Sequence, residues 1–528
     1  MHLYDFYLGA GFIGLLATSS PLLGAYMHFS FNRSIGPAEA RLYRISQLST
    51  APMSWKQYLK ALLSIQLMSL IFMMAIFLLN SKAPISLDLA FNLATSFITN
   101  TAWQNIPGES HLSHFSQMIA ITTQNFMAPA VGTAALLALT RGIFQTDSET
   151  IGNFWVDFFR MIVFILLPLS LLLALFLVSQ GSIQNLASTL EISTLEGAKQ
   201  ILPMGPAASQ TAIAALGGNG AGFFSQNLAH PFANPTGLTN WVLAFSVMLI
   251  PASLAHYYGI QIGSKKVGWV LFSVMLCFFI AFFAISFLGT QQLNSLEGQE
   301  IRFGNLGSLL IAHAATATAN GTMNIAPESL SPLSSAVMMF QMMLGEIIFG
   351  GSGTGLYGLL LFSMLTVFIA GLMIGRDPEY LGKKIQSAEL KWILFALMLP
   401  SCVTLLGSAY TCWVGSTDKT LFEILYNFAS NVGTNGSALS GFKFDSSSDN
   451  IMFGVAMWVG RLSTLIPVLI LAGILSSKKR IESIFEVSTP LFGLLLTFVI
   501  LMINGLTFLP SLLLGPLNEY ASLLEKLS

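Results

Sequence analysis

GGNGAGFFSQNLAHPFANPT, Gly217 to Thr236, lies in a sequence that is otherwise mostly membrane-spanning. A glycine-rich run joined to Asn, Gln and Ser needs a reason to sit between two apolar segments. Bare main chain inside a bilayer is tolerated only where protein buries it or where it lines a water-filled cavity. Glycine reaches positive φ and lets carbonyl oxygens approach a ligand, and rings of such carbonyls replace the water shell of an alkali cation in membrane pores. The stretch reads as an ion-binding re-entrant loop, an expectation that requires others like it in the chain.

The chain around it has 528 residues, 54% of them hydrophobic and 9% charged, with a mean hydropathy of +0.71. Soluble domains carry roughly a quarter charged residues, so the composition is that of an integral membrane protein with little mass outside the bilayer. A net charge of −1 argues against nucleic acid as a partner. Cys277, Cys402 and Cys412 lie in or near apolar runs without metal-ligand spacing, so neither a disulfide framework nor a zinc site is indicated. The first apolar segment, Phe6 to Phe29, has no basic region before it and no small-residue cleavage signature, and reads as a retained span rather than a signal peptide.

Runs long enough to cross, at about 20 residues each, fall near 6–30, 59–79, 117–140, 158–179, 239–260, 268–289, 388–413, 451–475 and 487–510. The run 335–375 is too long: as one helix it would reach roughly 60 Å, and GGSGTG, Gly350 to Gly355, cuts it. It reads as one span broken in the middle with an extension into the cytoplasm, giving ten spans. Sixteen Lys and Arg residues, Arg33 to Arg480, fall in one set of loops, against six (Lys82, Lys199, Arg302, Lys419, Lys443, Lys526) in the other. The basic side is expected to be cytoplasmic, with both termini outside.

Four external loops are long, and each holds an apolar segment too short to cross: Asp88 to Thr99, Pro206 to Leu216, Asn305 to Thr318 and Leu421 to Val432. Asp88, Pro206 and Asn305 are helix-start residues. Each segment runs into a polar stretch: TNTAWQ (Thr99 to Gln104), GGNGAG (Gly217 to Gly222), ANGTMN (Ala319 to Asn324) and GTNGSA (Gly433 to Ala438). The pattern span, short helix, polar loop, span thus occurs four times, at intervals of 118, 101 and 115 residues between Ala102, Gly220, Gly321 and Gly436. The expected fold is an all-α membrane protein of ten transmembrane helices. Residues 1–56 hold the first helix and a cytoplasmic connector, 57–140, 141–262, 263–387 and 388–480 the four pseudo-symmetric repeats, and 481–528 the last helix.

Helices that enter from outside and end at mid-membrane turn their carboxyl ends, about half a negative charge each, toward the centre. Such ends hold monovalent cations in transporters. The loops carry no ring of Asp or Glu, which argues against Ca²⁺ or Mg²⁺. A fourfold arrangement of this kind is the layout of a cation pore.

NGAGFFSQNLAHPFANPT (Asn219 to Thr236), QMMLGEIIFGGSGTGLYG (Gln341 to Gly358), FIAGLMIGRDPEYLGKKI (Phe368 to Ile385), LPMGPAASQ (Leu202 to Gln210) and GRLSTLIPV (Gly460 to Val468) resemble the potassium-binding, pore-like subunit of the Kdp potassium-importing ATPase. AWQ (Ala102 to Gln104) and PLNEY (Pro516 to Tyr520) are similar to it too. The resemblance implies high-affinity uptake of K⁺ from outside through a four-loop selectivity filter, with sideways passage through an intramembrane tunnel. It also implies a catalytic P-type ATPase partner (KdpB-like), accessory single-span subunits (KdpC-like and KdpF-like), lipid around the chain and a place in the bacterial inner membrane. The filter it implies comprises Asn100, Thr101 and Ala102; Gly218, Asn219 and Gly220; Ala319, Asn320 and Gly321; and Thr434, Asn435 and Gly436. Ala102 stands where the family often has Asn, and Gly218 where Thr is usual; a filter of backbone carbonyls survives both.

Glu346 and Arg461 lie inside otherwise apolar spans, where ionisable residues are costly and face the protein interior or a pathway. They are expected to pair near the pore axis below the filter, where an Arg raises a barrier to cations. With the break formed by Gly350, Gly351, Gly353 and Gly355, the pair would stop K⁺ running straight through. GTGLYG (Gly353 to Gly358) matches a dinucleotide fingerprint by letter only, lacking a preceding strand. The DKT at Asp418 to Thr420 lacks the Gly-Thr that follows a pump's phosphorylated aspartate, and no GxxxxGK[ST] occurs. The chain itself therefore reads as neither an ATP hydrolase nor a nucleotide binder. His111, His114 and His313 have no partners for a metal. Two competing readings are a stand-alone K⁺ channel or cation symporter, and a membrane enzyme, for which no paired carboxylates, nucleophile elbow or metal cluster speaks.

Overall fold

The computed structural model describes residues 3–187, 189–220, 222–290, 298–415, 418–481, 485–515, 517–518 and 521; of the residues singled out above, Ala221, Pro516, Glu519, Tyr520 and Lys526 lie outside them. Ten of the described helices are long and apolar enough to cross a membrane. The chain starts with α1 (Leu3–Asn32) and a short amphipathic α2 (Pro37–Ile45). Then come α3 (Trp55–Leu79), begun by a Ser54–Gln57 capping box, and a short α4 (Leu87–Ile98). A loop holding the one-turn α5 (Gly108–His111) leads to a π-helical stretch, Ser116–Thr122, continuous with α6 (Thr123–Phe144).

The next quarter repeats the plan. The first span is α7 (Phe154–Arg160) and α8 (Leu167–Ser179), joined through a π-helical stretch at Met161–Leu166. An exposed antiparallel hairpin, β1 (Leu190–Ser193) with β2 (Lys199–Leu202), precedes the short α9 (Ala207–Gly217), and α10 (Gly237–Gln261) follows. The third quarter runs α11 (Lys265–Thr290), α12 (Gly304–Ala317), α13 (Pro332–Met343) and α14 (Thr354–Met373). The last runs α15 (Ser387–Val414), α16 (Leu421–Val432) and α17 (Ser447–Ser476), before the final α18 (Pro490–Leu514).

The four short helices are 11 to 14 residues long. At 1.5 Å per residue each covers only about half of a ~30 Å hydrocarbon core. Their polar groups are therefore buried in protein: every residue of α16 from Phe422 to Val432 is buried, as are Asn92 to Ile98 of α4. The outer helices do the reverse. In the most apolar stretches of α1 and α15 only 22% of residues are buried, and exposed Leu22, Phe29, Leu406 and Trp413 face outward.

The basic loops meet on one face. Asn153 Nδ2 donates to the carbonyls of Ser49 and Ala51, and Arg160 Nε lies 2.7 Å from Glu39 Oε1. Lys383 Nζ donates to the carbonyls of Gln145 and Lys478 at 2.6 Å each.

Two expectations need correction. The break in the 335–375 run begins earlier than the glycine run: helix stops at Met343 and resumes at Thr354. Gly345, Glu346 and Phe349 as well as Gly350 and Gly353 have positive φ, so the backbone has left the helical region before Gly350 is reached. The helix also has no extension past Met373. Gly375 at φ 66° turns the chain into a small hairpin of β3 (Glu379–Tyr380) and β4 (Lys383–Lys384).

Candidate functional site

Each short helix stops at a polar loop, and the four loops share one backbone pattern. Positive φ falls at Asn100 and Ala102, Gly218 and Gly220, Ala319 and Gly321, and Thr434 and Gly436, between 46° and 89°, while the residue inside each pair stays at negative φ. Alternating left- and right-handed residues turn successive carbonyls toward the same side of the chain, whereas a strand alternates them. Four of the eight are not glycine. An L-residue in the left-handed region costs roughly 1 kcal/mol, more for β-branched Thr434, and such strain persists only where the surroundings enforce it. At Gly218 an added Cβ would have ordinary room, with Thr318 O 3.7 Å away, so its φ of 72° rather than space favours glycine there.

The donors of these loops turn back into their own helices. The amides of Thr101, Asn219, Asn320 and Asn435 bond the carbonyls of Ser96, Ala214, Ala315 and Ser430, in each case five residues back, at 2.8–3.1 Å. The carbonyls of the same four residues accept no hydrogen bond among the described residues. What each loop has left to present is peptide oxygen.

The loops close into a ring. A Cβ on Gly220 would collide with Asn320 O, one on Gly321 with Asn435 O, and one on Gly436 with Thr101 O. The fourth junction is made by Asn100 Nδ2, which donates to Gly218 O at 2.9 Å, and by Asn219 Nδ2, which donates to Asn100 Oδ1. The structure thus brings all twelve expected filter residues together, in chain order around one axis. The central Asn side chains are struts. Asn320 Nδ2 reaches back to Ala214 O at 3.0 Å, and Asn435 Nδ2 lies 3.5 Å from the carbonyls of Ala315 and Thr316.

Outside the ring lies a vestibule of 670 Å³ that touches Ala102, Gly321 and Gly436. Its lining includes Glu328 and Asp445 and, among the described residues, no Lys, Arg or His, so its field raises the local concentration of cations. Those carboxylates escaped the sequence reading because they lie beyond the loops' polar cores; only folding brings them to one opening.

Directly inside the ring sits the break between α13 and α14. Gly350 N donates to Ala317 O at 2.8 Å, Ser352 Oγ to Gly217 O at 3.4 Å, and Thr434 Oγ1 to Glu346 Oε1 at 2.6 Å. A Cβ on Gly351 would stand 3.6 Å from Asn100 Nδ2. One segment therefore touches all four loops from below. Gly355 follows at the start of α14, where a Cβ would collide with Phe349 O.

The expected pairing of Glu346 with Arg461 is not made as an ion pair. The oxygens of Glu346 are held by Thr434 and by Thr354 Oγ1 at 2.7 Å, because the first turn of α14 and the start of loop four stand closer. Arg461 is 2% exposed, its Nε has no hydrogen-bond partner among the described residues, and its charge reaches Glu346 only through space. Its guanidinium lies against Gly132, where an added Cβ would be 2.9 Å from Nη2 and 2.6 Å from Ser352 O. The cation is thus held beside the break.

Beside Glu346 a cavity of 50 Å³ is lined by Thr354, Thr404, Thr464 and Asn504 among apolar residues of α13 to α18. Of the histidines, His313 Nδ1 faces Gln341 Oε1 at 3.3 Å and His114 Nε2 faces Met204 O at 2.8 Å. No metal-ligating cluster of His, Cys, Asp or Glu occurs among the described residues.

A family model described as potassium-transporting ATPase A subunit matches residues 10–521. A protein of Nitratidesulfovibrio vulgaris named potassium-transporting ATPase potassium-binding subunit is 40% identical, covering 100% of both chains. One of the same name from Pseudomonas putida is 41% identical over 99% of this chain and 100% of its own. Among solved structures, the potassium transporter TrkH from Vibrio parahaemolyticus has the same fold, with a TM-score of 0.50 over 72% of this chain and 78% of its own at 13% identity. The chain belongs to the potassium-transporting ATPase A subunit family, KdpA.

Proposed function

We propose that this chain is the potassium-binding and translocating subunit of an ATP-driven import complex. K⁺ enters the acidic vestibule from outside, sheds its water at the ring of the four loops, and is turned aside by the segment Glu346 to Gly353. It leaves through the side cavity toward a catalytic P-type ATPase subunit (KdpB-like), with single-span accessory subunits (KdpC-like, KdpF-like) completing the assembly. Hydrolysis belongs to the partner, and this chain binds no nucleotide. The complex sits in a bacterial inner membrane with the basic face cytoplasmic and both termini outside. The domain plan is four repeats, at 57–140, 141–262, 263–387 and 388–480, flanked by 1–56 and 481–528.

The observation that carries this reading is the ring itself. Four loops have left-handed residues at equivalent positions, amides returned five residues and free peptide oxygens on a common axis. Carbonyl dipoles at the ends of half-crossing helices suit a monovalent cation. The alternative, a stand-alone channel or symporter, is disfavoured by the segment that meets all four loops from below.

The test is reconstitution. The tagged chain should copurify with an ATPase whose activity rises with micromolar K⁺, and in liposomes the chain alone should pass almost none. Robust K⁺ flux through the lone chain would instead favour the channel reading.

A further inference from the structure

We propose that Glu109 and Glu328 are positioning residues of the ion-binding ring, each clamping the next loop's backbone from the turn that follows its own loop. The proposal rests on reading the ring as a filter.

Glu109 and Glu328 each stand seven residues beyond the outer residue of their own loop, Ala102 and Gly321. Glu109, in α5, accepts from Ser225 N at 2.9 Å through Oε2 and from Ser225 Oγ at 2.8 Å through Oε1. Glu328 accepts from Ser440 N. Loop one is thus clamped to loop two, and loop three to loop four. The matching positions of the other loops hold Asn227 and Lys443, which do something else. Asn227 Oδ1 accepts from Gly222 N of its own loop at 3.0 Å, and Lys443 pairs with Glu423 at 2.7 Å. The remaining junctions are bridged differently: Leu228 N donates to Met323 O at 3.1 Å and Arg302 Nη2 to Ala229 O at 3.0 Å, while Asn450 accepts from Asn105 Nδ2 at 2.8 Å and donates to Asp88 Oδ2 at 2.9 Å. Among the described residues, a carboxylate from the turn after one loop therefore grips the next loop's backbone at two of the four junctions.

Both clamps grip backbone that would not hold its place unaided. Ser440 sits at φ 49°, ψ 44°, a left-handed conformation that a non-glycine residue keeps only under restraint. Ser225 lies in a loop of turns that lines the vestibule. Hydrogen bonds from an amide to a carboxylate are roughly twice as strong as neutral ones, so the charged junctions fix the spacing of the loops above the ring. Releasing them lets loops two and four drift from the axis by fractions of an ångström. That weakens the field of the carbonyls on a dehydrated K⁺ without touching the ring residues.

The experiment uses the intact complex, purified with its ATPase partner, and reads the K⁺ concentration that half-saturates ATP hydrolysis together with the maximal rate. Glu109→Gln and Glu328→Gln should each raise half-saturation roughly five- to tenfold, keep the maximal rate within about twofold, and let Na⁺ stimulate more than before. Glu109 is not among the vestibule-lining residues, so matching shifts identify the clamp. A shift in Glu328→Gln alone would mean lost vestibule charge and would overturn the proposal. Ser225→Ala removes only the hydroxyl, should shift half-saturation about twofold, and carries the test if the glutamine variants do not assemble; an unchanged value there overturns it. Gly220→Asp separates the two readings. If it shifts half-saturation while the clamp variants do not, the clamp is wrong and the filter stands; if it too is silent, both fall.

Discussion

The ring of four loops and the segment beneath it are built from the same residue types and do opposite things. Both are rich in glycine and in positive φ: eight such residues in the ring, and Gly345, Glu346, Phe349, Gly350 and Gly353 below. In the ring the irregularity recurs at equivalent places, amides fold back by five residues, and oxygens are left over. Below, the irregularity occurs in one quarter of the molecule, where α13 gives way to α14. The residues there consume the leftover groups of the ring's underside: Ala317 O, Gly217 O and the Thr434 hydroxyl are all taken. Repetition makes a site; one departure from it gives the site a direction.

The largest expected effect comes from damaging the repeated part. Gly220 has φ 78°, and a Cβ there runs into the Asn320 carbonyl. Gly220→Asp should lower K⁺ affinity at least about a hundredfold, or ~3 kcal/mol, and loosen discrimination against Rb⁺ and Na⁺. Unchanged uptake at micromolar K⁺ would count against the ring as the site. The segment below should answer differently. Arg461→Ala removes the buried cation lying against Gly132 and leaves the ring geometry alone, so affinity should move less than about threefold. Passive K⁺ leak through the complex should rise and transported ions per ATP should fall. If neither leak nor pumped uptake changes, Arg461 is structural.

A smaller change tests the joint between the two regions. Thr434 belongs to the ring by its backbone and to the segment by its hydroxyl, which donates to Glu346. Thr434→Val keeps the β-branch and the strain but drops the donor. A lost hydrogen bond to a charged, half-buried carboxylate costs about 1.5–3 kcal/mol locally, only part of which reaches the ion. The expectation is a few-fold change in leak with affinity nearly kept. A change in affinity as large as that of Gly220→Asp would show that the two regions are not separable.

The sequence made the ring legible and the segment only partly so, for a physical reason. A short apolar helix followed by Asn-Gly is a local pattern, so α4, α9, α12 and α16 lie within a residue or two of the expected positions, and repetition turned four weak signals into one. Glycine marks irregular backbone, so the sequence points to Gly350 as the start of the break. Leu344, Glu346 and Phe349 leave the helix too, under contacts with Ala317 and Thr434 that are distant in sequence. The partners of Glu346 are equally non-local: charge points to Arg461, whereas proximity supplies two threonine hydroxyls. The central asparagines, read as part of the ion site, hold adjacent quarters together through their side chains. Nothing in a single loop says which way a side chain points.

The smallest effect concerns the collar outside the ring, and it should leave the segment below untouched. His230 stacks on Phe224 with ring centroids 3.7 Å apart and planes 5° from parallel, and its Nδ1 accepts from Phe232 N at 3.1 Å, which needs the neutral ring. Burial holds its pKa below the ordinary 6.5; the charge of Arg302 pushes the same way, and Glu109 opposes. Because the folded value is the lower one, the unfolded loop binds the proton more readily. The stability drawn from the neutral ring is therefore complete above pH 6.5 and lost as pH falls through the folded value. Amide exchange in the segment 225–233 should accelerate roughly two- to fivefold between pH 7 and pH 5.5, after correction for the intrinsic rate, while that of 344–353 stays flat. His230→Gln, which cannot titrate, should abolish the difference. Equal acceleration in both segments would mean that acid loosens the whole protein, and that the collar and the segment beneath the ring share one opening.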